Sequence, residues 1–143
     1  MKSRTRIAGL HVDNSKPVSG EEIRIAGYLQ WYDESAKRWE PLRDWVKLVI
    51  DGLEIARTIT KHDGSFEFKY SSVLTGKKKI EVRYAGKEKY KPCKGEITIE
   101  VITKEQRKKF ERVAKIALIV LFVLIVIIIL LSILLTWKVY LLH

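Results

Sequence analysis

The chain has 143 residues, a net charge of +10 and a single cysteine, Cys93. A lone cysteine excludes a secreted disulfide framework. A charge-free apolar run over residues 116–137 leaves room for one modest domain and too little chain for a two-domain enzyme. The charge is spread unevenly. Residues 1–103 carry 20 Lys and Arg against 15 Asp and Glu, residues 104–115 carry 6 against 2, and Lys138 supplies the last positive charge. Lys, Glu and Ile are abundant, while Asn14 is the one asparagine and Gln30 and Gln106 the only glutamines. That is the compositional bias of hyperthermophile proteins.

From residue 5 to residue 103 the apolar period is two, which predicts strands near residues 5–12, 22–31, 45–51, 53–60, 65–70, 79–85 and 96–103. Ile23, Ile25, Gly27, Leu29 and Trp31 alternate with Arg24, Ala26, Tyr28 and Gln30; Val46, Leu48 and Ile50 repeat the pattern. Phe66, Phe68 and Tyr70, then Ile80, Val82 and Tyr84, then Ile97, Ile99 and Val101 continue it. Runs with one apolar and one wet face suit antiparallel sheets packed on each other. Asp51-Gly52 and Asp63-Gly64 are hairpin signals, because type I′ turns need positive φ. Gly20, Gly76, Gly86 and Gly95 mark further joints, and Pro17, Pro41 and Pro92 are expected in loops. Seven short strands in about 100 residues predict an all-β fold, an immunoglobulin-like antiparallel β-sandwich.

The order SKPVSGEEIRIAGYL, WEPLRDWVKLVIDG, TITKHDGSFEF, GKKKIEVRYAGKEKYKP, EITIEV resembles the Ig-like repeats of bacterial and archaeal surface proteins. Pro41-Leu42, Gly52, Thr60, Gly64, Phe66, Phe68, Gly86, Tyr90 and Pro92 fill that family's characteristic places, over about residues 7–103. The resemblance implies a sandwich that binds, spaces or braces rather than catalyses. Such repeats usually sit outside the cell behind a signal sequence, and no apolar h-region follows the basic N-terminus here.

No catalytic constellation assembles from the sequence. His11, His62 and His143 are far apart in the pattern and form no metal-ligand spacing, so neither a metal nor a cofactor is expected. Cys93 has basic neighbours, Lys91 and Lys94, but no partner histidine, which favours an idle thiol over a nucleophile. Turn geometry accounts for Asp51 and Asp63 without calcium. The Lys77–Lys79 run and the cluster Lys87, Lys89, Lys91 and Lys94 are basic, but Lys87 to Lys91 alternate with Glu88 and Tyr90 as the wet face of a loop would. No Arg cluster or set of stacking aromatics shares one groove, so nucleic acid is not the expected partner.

The segment WYDESAKRWEPLRDW, residues 31–45, reads as a long connection and holds three of the four tryptophans. Trp31 and Trp45 end or begin strands and are expected to pack over the sandwich. Trp39, between Arg38 and Glu40 at the expected tip, either staples its own hairpin or contacts a protein partner. Trp39, Arg38 and Tyr32 are the candidate partner-binding residues.

At the other end, the 22 residues Ile116–Trp137 reach about 33 Å as a helix, slightly more than a hydrocarbon core of about 30 Å. Ser132 and Thr136 are their only polar side chains apart from the Trp137 indole. Ahead of the run stand Lys104, Arg107, Lys108, Lys109, Arg112 and Lys115; behind it come only Lys138 and His143. The positive-inside rule then puts the N-terminal side in the cytoplasm, with Trp137 and Tyr140 at the far interface. The chain divides as an Ig-like domain (1–103), a basic juxtamembrane stretch (104–115), a transmembrane helix (116–137) and a short far-side tail (138–143). The basic flank is expected chiefly to set topology, with recognition of anionic headgroups as its second use. The expected function is a non-enzymatic, membrane-anchored binding or scaffold protein, an accessory of a membrane complex. The alternative is an outward-facing surface spacer or adhesin-type domain held by its C-terminus.

Overall fold

A computed structural model describes all 143 residues, Met1–His143, as two compact units, Met1–Thr103 and Lys104–His143. The first contains eight strands: β1 (Thr5–Val12), β2 (Glu22–Asp33), β3 (Arg38–Pro41), β4 (Trp45–Ile50), β5 (Leu53–Ile59), β6 (Ser65–Ser71), β7 (Gly76–Tyr84) and β8 (Cys93–Val101). They form two antiparallel four-stranded sheets. In one, β2 is central, with β1 along one edge and β6 and then β3 end to end along the other. The second runs β5-β4-β7-β8.

The alternation of the sequence decides which side chains meet. Ile23, Ile25 and Leu29 of the first sheet and Val46, Leu48, Ile80, Val82 and Ile99 of the second are fully buried in one shared core. Phe66 and Phe68 add a tilted ring pair to it, centroids 5.9 Å apart. Asp51 and Gly52 both have positive φ, 48° and 83°, so the β4–β5 hairpin is a two-residue turn of the type I′ hand. Asp63-Gly64 behaves differently. Lys61 accepts from the Gly64 amide and donates its own to Ser65, the pattern of a three-residue turn with a glycine bulge. The strands on either side belong to different sheets, so this turn lies in a crossover and closes no hairpin between paired strands. A Cβ on Gly64 would stand 2.5 Å from the Leu29 carbonyl.

The strand count is eight and not seven. The additional strand, β3, is four residues long and ends in Pro41, too short to show a period of two. It forms because β2 runs on to Asp33 and folds back through residues 34–37, with Lys37 at φ 54°. Trp39 therefore lies in a strand, two residues beyond that turn, and Pro41 ends a strand instead of sitting in a loop. Gly95 is no joint either: it is inside β8, where a Cβ would come within 3.0 Å of Ile7 and Leu10 side chains. Glycine there lets β1 lie close over β8.

The second unit is one 39-residue helix, α1 (Lys104–Leu142), with no buried residue. It is the one helix in the chain long and apolar enough to cross a membrane. At about 1.5 Å per residue its length is about 58 Å. The Ser132 hydroxyl donates to the Ile128 carbonyl (2.8 Å) and that of Thr136 to the Ser132 carbonyl (2.6 Å). Both hydroxyls are thus satisfied within the helix.

Candidate functional site

The β2–β3 hairpin brings Tyr32 and Trp39 directly opposite each other. Their rings meet edge to face, centroids 5.2 Å apart. Two cations, Arg6 of β1 and Arg4 just ahead of it, complete the cluster. The Arg4 guanidinium stands 4.4 Å from the Tyr32 ring centre, and that of Arg6 stands 4.1 Å from the Trp39 ring centre. Arg6 is oriented by Gln30, whose Oε1 accepts from Nε at 2.8 Å. Guanidinium over indole is a favourable cation–π arrangement. It leaves both rings half-buried.

Arg38, the third predicted residue, is not part of this stack. It alternates with Trp39 along β3, and its guanidinium pairs with Glu40. Arg4 and Arg6 are the residues that sequence reasoning missed. Their place beside Trp39 depends on the register that sets Thr5 against Trp31 and Arg6 against Gln30. No local pattern announces that register.

Trp31 and Trp45 part company. Trp31 packs against the core and meets Tyr90 edge-on at 5.8 Å. Trp45 is 50% exposed, on the outer face beside Ile59. Its backbone is nonetheless held firmly by a buried polar cluster. Asp44, 6% exposed, accepts from the Trp45 amide (2.8 Å), from the Tyr84 hydroxyl (2.8 Å) and from Lys87 Nζ (3.0 Å). The Thr60 hydroxyl accepts from the Asp44 amide and donates to the Leu42 carbonyl. No buried side-chain polar atom of the protein lacks a partner. Burial works against the Asp44 carboxylate, but the Trp45 amide, the Tyr84 hydroxyl and Lys87 outweigh it, so its pKa falls below the ordinary value. Burial, then the Asp44 carboxylate, pushes the Tyr84 phenol well above its usual range.

The outer face of the second sheet carries charge in cross-strand rows. Arg57, Lys47, Arg83 and Lys94 are successive partners across four strands. Like charges in that relation repel. Carboxylates on the same strand offset three of them: Glu54 on Arg57 (2.7 Å), Glu81 on Arg83 (2.5 Å) and Glu96 on Lys94 (3.2 Å). Lys79 bridges Glu81 and Glu96. An open groove of about 600 Å³ crosses this face, reaching Cys93 at one end. Burial raises the Cys93 thiol pKa, with Thr5 opposing, so lysines nearby in sequence do not activate it. Lys78, Lys79, Lys87 and Lys94, from the two basic stretches, each have a carboxylate partner. His11 bonds the Gly9 carbonyl through Nδ1, and no cluster of three His, Cys, Asp or Glu with metal-site geometry occurs.

On α1, Lys104, Lys108, Arg112 and Lys115 recur at spacings of four, four and three, which places them along one side of the helix. Arg107 and Lys109 flank them. Trp137 and Tyr140 are three residues apart near the other end, both largely exposed.

No family model matches the chain. A protein of Archaeoglobus fulgidus described as uncharacterized is 34% identical over 113 residues, a stretch covering 78% of this chain and 77% of that protein. At that identity and coverage the chain belongs to the same family as this archaeal protein.

Proposed function

We propose that this protein is a non-enzymatic, membrane-anchored binding or scaffold protein, in which an Ig-like sandwich is held at the cytoplasmic face by α1. The observation that carries the reading is the asymmetry of α1. Six cations fill its first twelve residues, and a charge-free run of 22 follows at once. A helix of that composition meets the demand that backbone groups be satisfied inside lipid, and Ser132 and Thr136 bond within it as well. Flank charge of that size favours the N-terminal side in the cytoplasm. Two sheets around one core, with the Pro41-Leu42, Gly52, Gly64 and Tyr90-Pro92 positions of surface-protein repeats, support the Ig-like assignment. The exposed side of the Tyr32–Trp39 cluster, with its cations, has the composition of a protein-binding hot spot.

Protease added to intact cells, and separately to inverted membrane vesicles, tests this. The domain should resist in cells and be cleaved in inverted vesicles. The opposite pattern would support the outward-facing spacer or adhesin-type reading, which rests on the resemblance to surface repeats. Replacing Arg107, Lys108, Lys109, Arg112 and Lys115 by neutral residues should produce a population of inverted or uninserted chains.

A further inference from the structure

The second sheet ends in a strand with nothing on its outer edge. β5 takes its strand pairing from β4 alone, and no other backbone hydrogen bond of the domain reaches its seven residues. Other sheet borders are treated differently. At the far end of β8, Glu100 bonds Ser15, and Ile102 just beyond it bonds Pro17 and Ser19, all in the β1–β2 connection, and β3 stops after four residues at a proline. β5 has no proline and no lysine. It exposes Leu53 (67%), Ile55 (46%) and Ile59 (42%), next to half-exposed Trp45. A long, apolar, open edge is a template for another strand.

The charges on β5 say which strand fits. Glu54 and Arg57 are three apart, so in a regular strand they would face opposite ways. Pairing with β4 skips Ile55: Leu48 meets Ala56 and Val49 meets Glu54. This bulge turns Glu54 and Arg57 to the same outer face, where they form their 2.7 Å ion pair. We infer that β5 pairs antiparallel with β5 of a second copy of this chain, about a two-fold axis through Ala56 with the bulged Ile55 of each copy skipped, joining two four-stranded sheets into one of eight. In that register Glu54 of each copy faces Arg57 of the other, twice. Shifting the axis onto residue 54 or residue 57 would set Glu54 against Glu54 or Arg57 against Arg57, which is unfavourable. An isologous contact of this kind is self-limiting, since each copy has one such edge to give.

Disulfide trapping in full-length protein in membranes tests the register. Cys93→Ser supplies a cysteine-free background, into which Leu53→Cys, Ile55→Cys, Ala56→Cys and Ile59→Cys are placed singly. Facing residues of an antiparallel pair lie within the Cα separation a disulfide accepts. Oxidised dimer should peak for Ala56→Cys and fall several-fold for Leu53→Cys and Ile59→Cys. Charge reversal separates a contact between copies from one within a chain. In the Ala56→Cys background, Glu54→Arg alone and Arg57→Glu alone should each lose most cross-linking, while mixing the two variant chains should restore it. Uniformly low cross-linking, a maximum at either end of β5, or a mixture no better than its components would overturn the inference. Trapping to a different protein at the same positions would likewise overturn the second copy as occupant.

Discussion

Two tryptophans six residues apart, Trp39 and Trp45, have opposite fates. Trp39 is opposite Tyr32, edge-on at 5.2 Å, with the Arg6 guanidinium 4.1 Å from its ring. Trp45 has no such cover; its ring stands half-exposed while its backbone amide is held by the buried Asp44 carboxylate. Neighbouring strands make the difference. Trp39, on edge strand β3, is reached by the Arg6 side chain of β1, two places away in the sheet, whereas the Trp45 ring stays half-exposed although β4 lies between β5 and β7. An aromatic residue is covered where a long side chain from another strand reaches over it, as Arg6 does over Trp39, and bare where none does.

The contrast breaks most readily at Asp44, which supports the Trp45 side. Asp44→Ala strands the Tyr84 hydroxyl and the Lys87 ammonium and should cost about 3 kcal/mol, read by denaturant unfolding. Asp44→Asn keeps one acceptor and should cost clearly less. Equal losses would mean that the negative charge, and not the shape or the remaining acceptor, carries the contribution.

Trp39→Ala removes a ring pair and a cation–π contact and should lower stability by about 1–3 kcal/mol. Trp45→Ala should change the melting of dilute protein by no more than about 0.5 kcal/mol. Reversal of that order would show that the cover over Trp39 contributes nothing to the fold.

Acid sharpens the comparison without mutation. The folded-state pKa of Asp44 lies below its ordinary value of 3.8, so the unfolded chain takes up the proton first as pH falls. The stability Asp44 contributes is complete above the ordinary carboxylate range and is lost as pH drops through the lower folded value. The carboxyls of Asp63 and Glu81 are likewise held below their ordinary values, so Asp44 is not the sole source of acid sensitivity. Asp44→Asn should therefore flatten, without abolishing, the acid limb of a stability–pH profile below about pH 4. The smallest effect is expected at Arg38. It pairs with Glu40 on the exposed hairpin, and Arg38→Ala should cost under about 1 kcal/mol.

How much of this was legible beforehand follows from the range of the interactions. The core strands were readable because Ile23, Ile25, Leu29, Leu48, Ile80 and Val82 announce their burial by alternation alone. The Asp51-Gly52 turn was readable because its backbone demands positive φ locally. β3 was not, since four residues ending in proline carry no period and gain their strand from β2. The Arg4–Tyr32 and Arg6–Trp39 stacks, and the Asp44–Tyr84 bond across 40 residues, depend on register and on tertiary approach. The bulge at Ile55, which decides where Glu54 and Arg57 point, left no mark in LEIARTI.

Quantitative isolation of the full-length protein from its native membranes in mild detergent tests the account most directly, comparing wild type with Trp39→Ala and Arg38→Ala. The account predicts that a second, different protein is retained in fixed proportion by wild type and by Arg38→Ala. Retention should fall at least about tenfold with Trp39→Ala while the folded fraction of the chain is preserved. Recovery of this chain alone, or of a companion that Trp39→Ala does not disturb, would contradict a binding role for the β2–β3 hairpin.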